Sequence, residues 1–93
     1  METRIALIGI IVYDVDSVRR TNDILHEYAQ YIVGRMGLPY RAKGVNIISV
    51  TLDAPEPVIS ALSGKLGQIS GISVKSMLAK EARGIKKGME EDV

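Results

Sequence analysis

Two carboxylates and a hydroxyl, Asp14, Asp16 and Ser17, stand where a long apolar run gives way to a helical pattern. Carboxylates at the start of a helix can hold the amine of a ligand, or they can cap the helix by accepting its free backbone N–H groups. A second group is basic: Arg35, Arg41 and Lys43 lie close together around a predicted edge strand. Such residues suit phosphate contact, or a solvated edge that resists strand-to-strand aggregation. The single histidine, His26, has Asp23 and Glu27 at helical spacings. One His with no Cys is a poor transition-metal set, so His26 reads as a solvated helix residue, and no metal or cofactor is expected. Ser60 and Ser63 have no histidine to activate them as nucleophiles. Gly64, Gly67 and Gly71 do not follow a strand in the manner of a phosphate loop and read as turn and cap glycines. No pair of titratable groups sits in an apolar setting of the kind that acid–base chemistry asks for. The expectation is a protein that is not an enzyme.

The chain that must position these residues is short. Its 93 residues make one domain, and 46% hydrophobic content supports a small core. A formal charge of +1 leaves no electrostatic footprint for nucleic acid or membrane. With Cys 0 there are no disulfides or thiolate sites, which fits a reducing, cytoplasmic location. The apolar run from Ile5 to Val12 is too short to span a bilayer and reads as a strand. Residues 1–80 form the expected domain. Residues 81–93 form a charged tail, mobile or weakly helical, and the helical alternative uses Ile85 and Met89 to touch a neighbouring subunit.

Ile5 to Tyr13 is rich in Ile and Val and reads as a buried strand. Asp16 or Ser17 is then the expected N-cap of a helix, whose apolar face is Val18, Thr21, Leu25, Tyr28, Ala29 and Ile32. Gly34 and Gly37 stop this helix. Val33 to Arg41 is assigned as an irregular strand, and Pro39 places it at a sheet edge, where a missing amide costs least. Ala42-Lys43-Gly44 turns the chain into a strong strand, Val45 to Leu52. Pro55, Glu56 and Pro57 suit the first turn of a second helix, with Val58, Ile59, Leu62 and Leu66 as its apolar face and Gly67 at its end. Ile72 to Leu78 alternates as a half-buried strand. The order β-α-β-β-α-β is that of the ferredoxin-like α+β sandwich: a four-stranded antiparallel sheet with two helices on one face.

That order is shared with the RNA-recognition motif, which stacks bases on aromatic residues of its central strands. The corresponding stretch here is Lys43-Gly44-Val45-Asn46-Ile47-Ile48-Ser49-Val50, with an aliphatic at every ring position, and the chain has Phe 0 and Trp 0. No RNA partner is expected. The face away from the helices is assigned Ala6, Ile8, Ile10, Val12, Val45, Ile47 and Met77, softened by Ser49, Thr51 and Lys75. So apolar a face points to burial against another copy, in a homodimer or tetramer packed through sheet faces or edges. Exchanging the two faces of the first strand would still leave Ile5, Leu7 and Ile11 exposed.

Several stretches also carry a family resemblance. They are Thr3 to Val12, Asn22 to Tyr28, Gly34 to Arg41, Asn46 to Val50, Asp53-Ala54-Pro55, Ile59 to Gly67 and Gly71 to Lys75. Over about residues 3–80 the chain resembles the regulators of iron-only hydrogenase systems. The resemblance implies a fold shared with ACT-like ligand-binding domains and with the sensor half of the nickel-responsive repressor. It implies a regulatory, oligomeric domain with a role in transcription regulation, a small-molecule effector and a protein partner in hydrogenase regulation. Ligands of such folds commonly sit near the first strand-to-helix turn, here Asp14 to Ser17. The nickel comparison does not carry over, since that sensor uses several His and a Cys. The alternative function is direct DNA binding through Arg35, Arg41 and Lys43 doubled by symmetry.

Overall fold

The computed structural model describes residues 2–81, so the expected tail lies outside it except for Glu81. The chain runs β1 (Arg4–Val12), α1 (Val15–Glu27), a 3-10 turn (Ala29–Tyr31), β2 (Ile32–Tyr40), a 3-10 turn (Arg41–Lys43), β3 (Val45–Ala54), α2 (Glu56–Gly67) and β4 (Ile72–Leu78). The four strands form one sheet in the order β2-β3-β1-β4, with every pair antiparallel. This is the ferredoxin-like α+β sandwich. β2 lies at an edge, as Pro39 requires, and a bulge between Ile32 and Gly34 makes it irregular. Gly44 closes the β2–β3 connection with φ 65, the left-handed conformation that glycine adopts without strain.

The core lies between the sheet and the two helices. β1 supplies Ala6, Ile8, Ile10 and Val12, and β3 supplies Ile48, Val50, Leu52 and Ala54. Leu25 of α1 and Ile59, Leu62 and Leu66 of α2 close over them, with Ile69 just beyond. Full burial of each large aliphatic contributes about 1.5–3 kcal/mol.

The assignment of β1 to the two faces is therefore corrected. Ala6, Ile8, Ile10 and Val12 are buried beneath the helices, and Ile5, Leu7 and Ile11 are the exposed residues. The register is consistent with this, because Ala6, Ile8 and Ile10 sit opposite Leu52, Val50 and Ile48. Both faces of β1 are apolar, so alternation alone does not separate them. The deciding residue is Gly9, which interrupts one face. A close-packed interior takes the unbroken set and leaves the gap outside. Val45, Ile47 and Met77 do lie on the open side, together with Ser49, Thr51 and Lys75, as the pairings across β3, β1 and β4 require.

Two helix boundaries are also corrected. The N-cap of α1 is Asp14, not Asp16 or Ser17: its backbone is extended, and its Oδ1 accepts the Asp16 N–H at 3.3 Å. The helix ends at Glu27, well before Gly34, because the Tyr28 N–H bonds back to Leu25 O and the chain leaves through a 3-10 turn. Tyr28, Tyr31 and Ile32 still pack on the core from that turn. Helical spacing extended the helix this far because the residues are apolar for tertiary reasons.

Candidate functional site

The first strand-to-helix turn is held firmly. Ser17 is 4% exposed, and its hydroxyl donates to Ser70 O at 2.6 Å, across from the start of β4. The Tyr13 N–H donates to Gly71 O at 2.9 Å, and the Tyr13 hydroxyl lies 3.0 Å from Ser73 Oγ. Gly71 has φ 78, and a Cβ there would come within 3.1 Å of both Asp14 Cβ and Ser17 Oγ. Of the three residues assigned to a ligand, Ser17 is thus committed to the frame. Asp14 caps the helix and keeps an exposed side chain, and Asp16 is exposed beside it. Two exposed carboxylates therefore flank the start of α1 on a rigid base. Sequence reasoning named these residues, and Gly71 as a turn glycine, but missed the bonds from Ser17 to Ser70 and from Tyr13 to Gly71. The Ser-Gly dipeptide was a turn signal, but its partner was not local.

The basic group is not gathered onto one surface. Arg35 pairs with Val50 on the helix side of the sheet, and its Nη2 donates to Asn22 Oδ1 of α1 at 2.6 Å. Arg41 and Lys43 lie in the exposed β2–β3 turn. Arg41 lies six residues beyond Arg35, past the end of β2, roughly 20 Å at extended spacing. His26 is exposed, and no group of three or more His, Cys, Asp or Glu residues among the described residues could hold a metal ion. Ser60 is exposed and Ser63 is half-buried, its Oγ without a hydrogen-bond partner.

The charged contacts that sequence spacing did not suggest join the two halves of the chain. Lys65 Nζ of α2 lies 3.1 Å from Glu27 Oε1 and 5.2 Å from the centre of the Tyr28 ring. The hydrogen bond to Glu27 raises the Lys65 pKa above 10.5, with Tyr28 adding to the effect. Arg4 Nε reaches Glu56 Oε2 at 3.8 Å.

The other surface of note is the open side of the sheet. Here Met36, Leu38 and Met77 are 68%, 53% and 62% exposed, and Ile5, Leu7, Ile11, Tyr40 and Ile47 join them. Strand pairing sets these residues in rows: Leu38–Ile47–Ile11–Ser73, then Met36–Ser49–Gly9–Lys75, then Gly34–Thr51–Leu7–Met77. The aliphatic positions of the base-binding pattern, Val45 and Ile47, lie on this side. Ala6, also assigned to the open face, does not, since it is buried in the core.

The fold is a small α+β sandwich with a pinned first turn and an apolar open sheet, and sequence comparison gives its family. The chain belongs to the TM1266-like family, described as "Iron-only hydrogenase system regulator, putative", whose model matches residues 4–76. Among solved structures it is similar to the uncharacterized protein TM1266 from Thermotoga maritima, at 39% identity and a TM-score of 0.81. That match covers 85% of this chain and 100% of the other. No curated protein matches the chain. No helix among the described residues is long and apolar enough to cross a membrane.

Proposed function

We propose that this protein is a non-catalytic regulatory domain of an iron-only hydrogenase system, working as an oligomer that senses a small ligand where two copies meet. The observation that carries the reading is the first turn. Asp14 and Asp16 present exposed carboxylates from a base fixed by the bond from Ser17 to Ser70. A rigid, acidic turn suits a ligand with an amine, and the loops of a second copy would complete the enclosure. A ligand shifts such an assembly only by binding one arrangement better than the other. The family description supports the regulatory part of the reading.

A thermal-shift screen against amino acids, nucleotides and divalent metals tests it. A ligand that binds the folded state raises the melting temperature with its occupancy. The expected hit is an amine-bearing molecule whose shift is lost in Asp16→Asn. A screen without a hit, or a hit indifferent to that substitution, refutes ligand sensing at this turn.

A further inference from the structure

We infer that a second copy of this chain covers the open face of the sheet, sheet against sheet, with Gly9 at the point of closest approach. The inference deepens the proposed function and rests on its claim of an oligomer. The first observation is Gly9 itself, in the middle of the central strand β1. Positive φ is confined, among the described residues, to Gly44 and Gly71, so the backbone at Gly9 admits any residue. A Cβ there would meet only Lys75 O, at 4.0 Å, which is ordinary contact. Neither conformation nor packing within the chain asks for glycine, and glycine in a strand interior weakens it. The usual remaining reason is the close approach of another backbone or a ligand from outside.

The second observation is size. Strands of 7 to 10 residues make up the sheet. At about 3.3 Å per residue and 4.8 Å between strands, the face measures roughly 19 by 27 Å. That plane is about 510 Å², close to the lower end, about 600 Å² per partner, of a stable interface. The third is chemistry. The charged strand residues on this side are Lys75 and Asp53, and both sit at the margin. Lys75 is on edge strand β4, so its ammonium can reach water past the sheet edge while its stem lies on apolar surface. There is no field of one sign to select a nucleic acid or a charged peptide. A flat apolar sheet packs best on another flat apolar sheet about 10 Å away, and this chain supplies one. The face carries side chains that stand out, Met36 and Leu38, and a position without one at Gly9 beside Ser49, the two features that a two-fold contact of the face with itself needs.

The chain has Cys 0, so Ser49→Cys places a unique thiol at the centre of the face and Ser60→Cys places one on the exposed side of α2. Sedimentation velocity is expected to give a species of at least twice the 10.1 kDa chain mass, which a short bismaleimide captures through Ser49→Cys and not through Ser60→Cys. Gly9→Val, checked for folding by far-UV circular dichroism, is expected to weaken association about tenfold or more through overpacking at the contact. A monomer at every concentration overturns both this inference and the oligomeric reading beneath it. An oligomer captured through Ser60→Cys alone overturns the sheet-face contact and leaves that reading standing. Undiminished association of Gly9→Val removes Gly9 from the contact.

Discussion

Replacing Gly71 with alanine tests the pin between the first turn and β4. Alanine at φ 78 carries the left-handed penalty of about 1–2 kcal/mol for an L-residue. The new methyl would also lie 3.1 Å from Asp14 Cβ and from Ser17 Oγ. Neither neighbour retreats freely. Asp14 caps α1, and Ser17 Oγ is held at 2.6 Å from Ser70 O, one residue away from the substitution. Such overpacking costs about 1–3 kcal/mol. The total is about 3 kcal/mol, which in a domain this size lowers the melting temperature by roughly 10–20 °C. Gly44→Ala is the control. Its φ is 65, but a Cβ there meets nothing within 4 Å, so it carries only the conformational part. The gain from a stiffer unfolded chain is common to both variants and cancels in the comparison. Thermal melts followed by circular dichroism, at one fixed protein concentration, measure the difference. Equal shifts for the two variants would refute the claim that Asp14 and Ser17 form a rigid wall against Gly71.

Three further outcomes follow from the packing. Thr21 is fully buried and its Oγ1 has no hydrogen-bond partner, so Thr21→Val is expected to stabilise the fold by about 1 kcal/mol, read as a higher urea midpoint. Leu62→Ala, at 0% exposure under the sheet, is expected to cost about 2–5 kcal/mol through the cavity it leaves, measured by chemical denaturation. The Lys65 pKa is raised in the fold, so its contribution is complete below the unfolded value of 10.5 and is lost as pH rises through the higher folded value. Lys65 is exposed, so Lys65→Met is expected to lower the urea midpoint only slightly near neutral pH, and the deficit should vanish in alkaline solution.

The architecture was legible because its signals are local. Pro39 marked an edge strand, Pro55 and Pro57 marked the start of α2, and Gly44 marked a tight connection. The face of β1 was not legible from alternation, since Ile5, Leu7 and Ile11 are as apolar as Ala6, Ile8 and Ile10. Gly9 held the answer, but only packing density gives a gap in a strand its meaning. The frame of the first turn was half legible. Asp14 and Asp16 were found because carboxylates at a helix start follow a local rule. The bond that Ser17 makes was not legible, because its partner, Ser70, is 53 positions away. Arg35 was grouped with Arg41 and Lys43 by sequence proximity, but the strand turns its side chain toward Asn22.

The central place of β1 has a consequence for how the chain is made. β1 pairs with β3 on one side and with β4 on the other, so the earliest of the described strands is completed by the latest. During translation it can find β3 once residue 54 has emerged, but its second edge stays bare until Ile72–Leu78 leaves the ribosome. Contacts this far apart in sequence close slowly. Until then, the nascent chain carries a β-branched edge open to pairing with any neighbouring strand, including that of another nascent copy.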